Sequence, residues 1–137
     1  MKRLLFALLL ITPIALVAAQ DDADISAAES AATNWLSLTD SGQYANSWQE
    51  SSSFFRAAIT SEDWTAALEG ARASFGALNS RETASAQYST SLPGAPDGEY
   101  VVFEFNASFE NKRSAVETVT VMKDLDGAWR VAGYFIR

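Results

Sequence analysis

Hydrophobic positions along this chain follow two different rhythms. Between residues 21 and 76 they recur three and four apart, the spacing of a helix with one buried face. Ile25, Ala28, Ala32, Trp35, Leu36 and Thr39 form one such stripe. Asp24 or Ser26 can cap it, with Glu29 completing a capping box after Ser26. Gly42 stands where a helix stop belongs. Tyr44, Ala45 and Trp48 predict a short second helix, which Ser51-Ser52-Ser53 breaks before Phe54-Phe55. A third helix is predicted from Thr60 or Ser61, where Glu62 and Asp63 suit the positive end of the helix dipole. Its stripe is Trp64, Ala67, Leu68, Ala71 and Phe75, with Gly76 as the stop.

From residue 77 onward the period is close to two, which is the strand pattern. Ser80 to Leu92 predicts a first strand, and Pro93 to Gly98 is a dense turn signal. Tyr100 to Phe109 is the clearest strand. Val101, Phe103, Phe105, Ala107 and Phe109 share one face, and Tyr100, Val102, Glu104, Asn106 and Ser108 the other. Glu110 to Arg113 predicts a polar hairpin tip, Ala115 to Lys123 a third strand, and Asp126-Gly127 a tight turn. Trp129 to Arg137 is the fourth strand. The predicted class is α+β: about three N-terminal helices packed on one face of a four-stranded antiparallel meander. At fold level this resembles the cone-shaped folds of nuclear transport factor two and of cystatin, an analogy that carries no function.

The N-terminus has a different pattern. Met1-Lys2-Arg3 is positive, Leu4 to Val17 is apolar apart from Thr12 and Pro13, and Val17-Ala18-Ala19 offers a small-residue cleavage site. That layout predicts a secretory signal peptide over residues 1–19. The apolar run of about 14 residues falls short of the ~20 a spanning helix needs. Residues 20–25 are then an acidic, loose N-terminus, and 26–137 a single domain. The expected location is periplasmic or secreted. A lipoprotein is not expected, because no cysteine exists to be acylated, and no stable membrane anchor is expected after cleavage.

Charge and composition narrow the chemistry. Removing Lys2 and Arg3 from the 10 basic residues moves the net charge from −7 to −9. So acidic a balance argues against nucleic-acid binding, which needs a basic face. With no cysteine and no histidine, disulfides, thiolate metal sites, imidazole bases and Ser-His-Asp or Cys-His catalysis are all excluded. No cofactor and no metal site is expected. Asp21, Asp22 and Asp24 lack the loop and terminal Glu of a calcium site.

Longer motifs add a family likeness. Thr90-Ser91-Leu92-Pro93-Gly94-Ala95-Pro96-Asp97-Gly98-Glu99-Tyr100-Val101-Val102 is too unusual for a generic hairpin. With it come Glu117-Thr118-Val119-Thr120 and the run from Asp126 to Ile136. Upstream lie Trp35-Leu36, Gly42-Gln43-Tyr44, Ser47-Trp48 and Phe54-Phe55-Arg56. Together these resemble the domain of unknown function 4019 family, small secreted bacterial proteins, over about Ala27 to Ile136. The resemblance implies a bacterial, extracytoplasmic single domain and no particular reaction.

Six residues are candidates for a pocket or binding site. Tyr44 and Trp48 belong to an aromatic group that either fills the core or lines a pocket mouth, and their polar tips need partners. Arg56 and Arg81 stand where a guanidinium could grip a carboxylate, as does Arg130 beside Trp129. The carboxylate could belong to a ligand, to Glu104 or to Glu117. Glu104 would act as an acid or base only if its face lined a pocket; on an open face it is merely wet. The proline-glycine loop is either plain turn chemistry or a rigid recognition tip.

These readings favour a non-catalytic binding or interaction domain in the cell envelope, its partner an envelope protein or a small ligand. Two alternatives stay open. One is a small carboxylate-based hydrolase or isomerase with a cone pocket. The other is a structural or assembly-modulating domain that pairs through a sheet edge.

Overall fold

Local stop and cap signals decide where the helices begin and end. The computed structural model describes residues 14–137, with side-chain surroundings from residue 22 on. Residues 1–13 of the expected signal peptide lie outside the described residues. Helix α1 runs Ile14–Asp40, and residues 20–25 form part of it. Asp24 is anchored there by Lys123 Nζ at 3.6 Å. The predicted stripe is the buried one: Ala28, Ala32, Trp35, Leu36 and Thr39 are all closed to solvent. Gly42, at φ +76°, reverses the chain. The Gln43 amide then reaches the Leu38 carbonyl at 2.8 Å and the Gly42 amide the Thr39 carbonyl at 3.2 Å, a Schellman stop.

Helix α2 spans Tyr44–Gln49, α3 Ser53–Ala58 and α4 Ser61–Arg72. There are thus four helices where the pattern predicts about three. The extra one is the Phe54-Phe55 segment, because Ser52 accepts the Phe55 amide at 3.1 Å and caps a new turn. Thr60 caps α4 in the same way, accepting the Asp63 amide at 3.2 Å. Helix α4 buries Trp64, Leu68 and Arg72, whereas Ala67 of the predicted stripe is exposed. An arginine therefore takes the third inward position, for a reason that the functional site supplies.

The sheet is a meander of β1 (Leu78–Ser89), β2 (Tyr100–Phe109), β3 (Lys112–Lys123) and β4 (Trp129–Ile136), in that spatial order. All neighbours are antiparallel. The tip between β2 and β3 shrinks to Glu110-Asn111, because Lys112 already pairs with Phe109. Val101, Phe103, Phe105, Val119, Val121 and Val131 meet α1 and the aromatic rings of Trp35, Phe55 and Trp64 in the main core. Phe55 stands edge-on to Trp64 with centroids 5.0 Å apart. Tyr100 lies on the opposite face yet is also buried. The proline-glycine loop folds over it, and its hydroxyl donates to the Pro96 carbonyl. Among the described residues no helix is long and apolar enough to cross a membrane.

Candidate functional site

Two polar clusters adjoin the core. The first is a closed network of charges. Arg81 on β1 stands opposite Ala107, which stands opposite Ala115. These two small side chains leave room on the helix-facing side of the sheet. The Arg81 guanidinium fills it. Its Nε donates to Glu117 Oε1 at 2.6 Å. Its Nη1 and Nη2 donate to the two Asp40 oxygens at 2.7 and 2.9 Å, a bidentate fork. Arg72 Nη2 donates to Asp40 Oδ1 at 2.9 Å, and its Nη1 donates to Thr39 Oγ1 at 3.3 Å. The same guanidinium lies over the Phe109 ring, 4.7 Å from its centroid, a cation–π arrangement. The Tyr134 hydroxyl donates to the remaining oxygen of Glu117.

The electrostatics explain why these groups occur together. Glu117 is fully buried, and a lone carboxylate there would cost several kcal/mol. Asp40 ends α1, where the helix dipole is negative and disfavours an anion. Burial also pushes its carboxyl up, but hydrogen bonds from Arg81 and Arg72 outweigh both and hold it below the usual carboxylate range. Burial pulls Arg81 down, and its hydrogen bonds to Asp40 and Glu117 raise it well above the ordinary guanidinium value. Burial and the Glu117 charge push the Tyr134 phenol up, so it keeps its proton and donates it. Two arginines and two carboxylates sum to zero, and every carboxylate oxygen has a partner. Chemically the cluster ties β1, β3 and β4 to the ends of α1 and α4.

Of the six sequence candidates, the structure joins Arg81 and Glu117 and separates the rest. The carboxylate that Arg81 grips is thus internal. Tyr44 is half-buried against the main core. Trp48 is too, and its Nε1 donates to the Ile59 carbonyl at 2.8 Å. Arg56 is exposed on α3. Glu104 is on the sheet face away from the helices, 3.7 Å from Arg137 Nη2 and 44% exposed. No sequence pattern points to Asp40, Arg72 or Tyr134. One signal for the cluster was available: Glu117 shares its period-two row with Ala115, Val119 and Val121, a core row.

The second cluster is a groove between α1, α2 and the start of β4, with a volume of about 680 Å³. Trp35, Leu38, Trp129 and Val131 give it apolar surface, and Asn34, Asn46, Gln49, Glu50 and Arg130 give it polar rims. Arg130 is committed elsewhere: its Nη1 and Nη2 donate to Asp126 at 2.7 and 2.8 Å, and Nη1 also reaches Asp124 Oδ2 at 3.3 Å. Burial raises Asp124, but the Ser53 hydroxyl and amide, the Leu125 amide and Arg130 bring it down to about 2. That hairpin is therefore pinned to α3. The Asn46 amide donates to Gln43 Oε1 at 2.9 Å. Among the described residues, the side chains of Asn34, Gln49 and Glu50 make no hydrogen bond.

No curated protein and no solved structure gives a significant match to this chain. The family model described as "Protein of unknown function (DUF4019)" matches residues 31–134. That span takes in α2, α3, α4, β1, β2, β3, the last third of α1 and most of β4, and so both clusters, and the chain belongs to that family.

Proposed function

We propose that the protein is an exported, non-catalytic binding domain of the bacterial cell envelope, and that the groove beside Trp129 is its binding surface. The groove carries this reading. Its volume, about 680 Å³, lies within the range of small-molecule sites. It sets flat apolar surface beside Asn34, Gln49 and Glu50, whose side chains the described part of the fold leaves without a hydrogen bond. The buried carboxylates support binding over catalysis, since Asp40 and Glu117 are both held in ion pairs and neither is poised to move a proton. Export is supported by the N-terminal pattern. Cleavage after Ala19 would also leave Asp21, Asp22 and Asp24 near the new start of α1, where the dipole is positive and stabilises acids.

Two measurements test this. The full-length tagged chain, expressed in a bacterium, should appear in the periplasm or medium with the mass lacking residues 1–19. Retention in the cytoplasm at full mass would refute export. A fragment library titrated into the mature chain should perturb backbone resonances clustered at Asn34, Gln49 and Trp129. Perturbations scattered over the surface, or centred elsewhere, would refute the groove.

A further inference from the structure

We infer that the groove takes a neutral pyranose saccharide; this rests on the groove being the binding surface. Charge is the first argument. Two cations stand at the Trp129 end of the groove, and both are paired: both Nη atoms of Arg130 are engaged by Asp126 and Asp124, and Lys123, whose Nζ lies 5.6 Å from the Trp129 ring centroid, lies within 3.6 Å of Asp24 and 3.5 Å of Glu99. Glu50 then leaves the rim negative, in a chain whose formal charge is already −7. Anionic ligands such as phosphates, nucleotides or acidic sugars would be repelled.

Hydrogen-bonding chemistry is the second argument. The rim carries three primary amides, Asn34, Asn46 and Gln49. Each offers donors and an acceptor side by side. A sugar ring presents hydroxyls that both donate and accept, on neighbouring carbons, and a row of amides meets that pattern at either polarity. An apolar ligand would leave these amides desolvated without partners, which costs free energy. Trp129 supplies what amides cannot. Its half-buried indole is a flat apolar surface at the groove, suited to the C–H face of a pyranose. Trp35, 2% exposed, closes the floor beneath it, and its Nε1 is held by the Ser47 carbonyl and by Ser51 Oγ, each at 2.9 Å. A rigid floor of this kind limits the ordering penalty of binding.

The interior makes a useful control. Among the described residues no buried side-chain nitrogen or oxygen lacks a hydrogen-bond partner. Asn34 and Gln49 are therefore open because they face solvent, not because the fold is short of partners.

The test uses the mature chain and four probes: chitotetraose and cellotetraose as neutral saccharides, trigalacturonate as an anionic one, and tetra-alanine as a neutral peptide. Resonance titration should show saturable shifts at Asn34, Gln49 and Trp129 with at least one neutral saccharide, and none with trigalacturonate. Asn34→Ala and Gln49→Ala sit on exposed helix faces and leave the core intact. Each should weaken saccharide binding about tenfold with unchanged circular dichroism. Groove shifts from tetra-alanine or trigalacturonate, without any from the neutral saccharides, would overturn the sugar assignment while the groove stood. Silence from every probe, with fragment shifts still clustered in the groove, would also overturn it. Silence from probes and fragments alike would overturn both readings. Saccharide shifts that survive both alanine variants at full strength would show binding that does not use these amides, and would overturn the proposal.

Discussion

The charge network and the groove both set polar side chains against aromatic rings, but they use those side chains in opposite ways. In the network, Arg72, Arg81, Asp40, Glu117 and Tyr134 satisfy one another and admit nothing else. In the groove, neutral amides stand at the solvent edge with capacity to spare. The difference follows from solvation. Burying an unpaired charge is prohibitive, so buried charges must find partners within the chain and become structure. An amide at the surface is content with water, so it can be left open for a ligand.

The largest expected effect tests the structural half of this contrast. Glu117→Ala leaves Arg81 and Tyr134 facing an empty buried site. It should reduce the unfolding free energy by about 3–5 kcal/mol, measured by urea denaturation. A loss below about 1 kcal/mol would mean that the network is not what secures the sheet to α1. The double variant Arg81→Met/Glu117→Leu removes both charges and should recover most of the loss. Recovery separates the penalty of an orphaned charge from any special worth of the pair.

Backbone geometry near the same network gives the next effect. Gly76 links α4 to β1, between Arg72 and Arg81, at φ +73°. A Cβ there would lie 3.0 Å from both Glu110 Cβ and Asn111 Nδ2. Gly76→Ala should therefore cost about 2 kcal/mol, strain and crowding together. Gly94 also has positive φ, but nothing lies within 4 Å of its Cβ position. Gly94→Ala should cost only about 1 kcal/mol, from conformation alone. Equal losses would show that the packing around the α4–β1 link yields freely.

How far the sequence exposes these features depends on how local each is. Strand β2 matches its predicted bounds to the residue, because alternation and the flanking turns are written in adjacent positions. Helix α3 is one residue's doing: Ser51-Ser52-Ser53 reads as a break, and the Ser52 hydroxyl turns that break into a cap. The network was half visible. Glu117 sits in an otherwise apolar row, and Arg81 was a candidate for pairing with it. Asp40 and Arg72 come from helix ends far away along the chain, and no local pattern links them to β1 or β3. The groove was less visible still. Tyr44 and Trp48 have the right chemistry for a pocket mouth, but α2 turns both toward the core. Its neighbours Asn46 and Gln49 line the groove instead, a rotation that depends on how α2 settles against α1.

Acid provides a finer probe of the same contrast. Asp40 and Asp124 are both held below their unfolded values, so each stabilises the fold above the ordinary carboxylate range. That contribution is lost as pH falls through the folded values, for Asp124 from about 4 toward about 2. Melting temperature should fall across this window. Asp124→Asn should cost about 1 kcal/mol at neutral pH, allowing for solvent screening, and should flatten part of the acid limb. With no histidine in the chain, no step is expected between pH 5 and 8. Saccharide affinity should likewise hold constant there, because amides do not titrate.

The smallest stability effect is the one that sharpens the contrast most. Asn34 and Gln49 are exposed, and among the described residues their side chains bond to nothing. Asn34→Ala/Gln49→Ala should leave stability within about 0.5 kcal/mol of the parent chain, since alanine is at least as good a helix former as either residue. Any ligand-induced rise in melting temperature should disappear in the same variant, because that rise scales with occupancy of the native state. A clear loss of intrinsic stability would place these amides with the network, as parts of the fold. Unchanged stability with lost ligand response would mean that this fold closes its charges inside and keeps its neutral donors for what it binds.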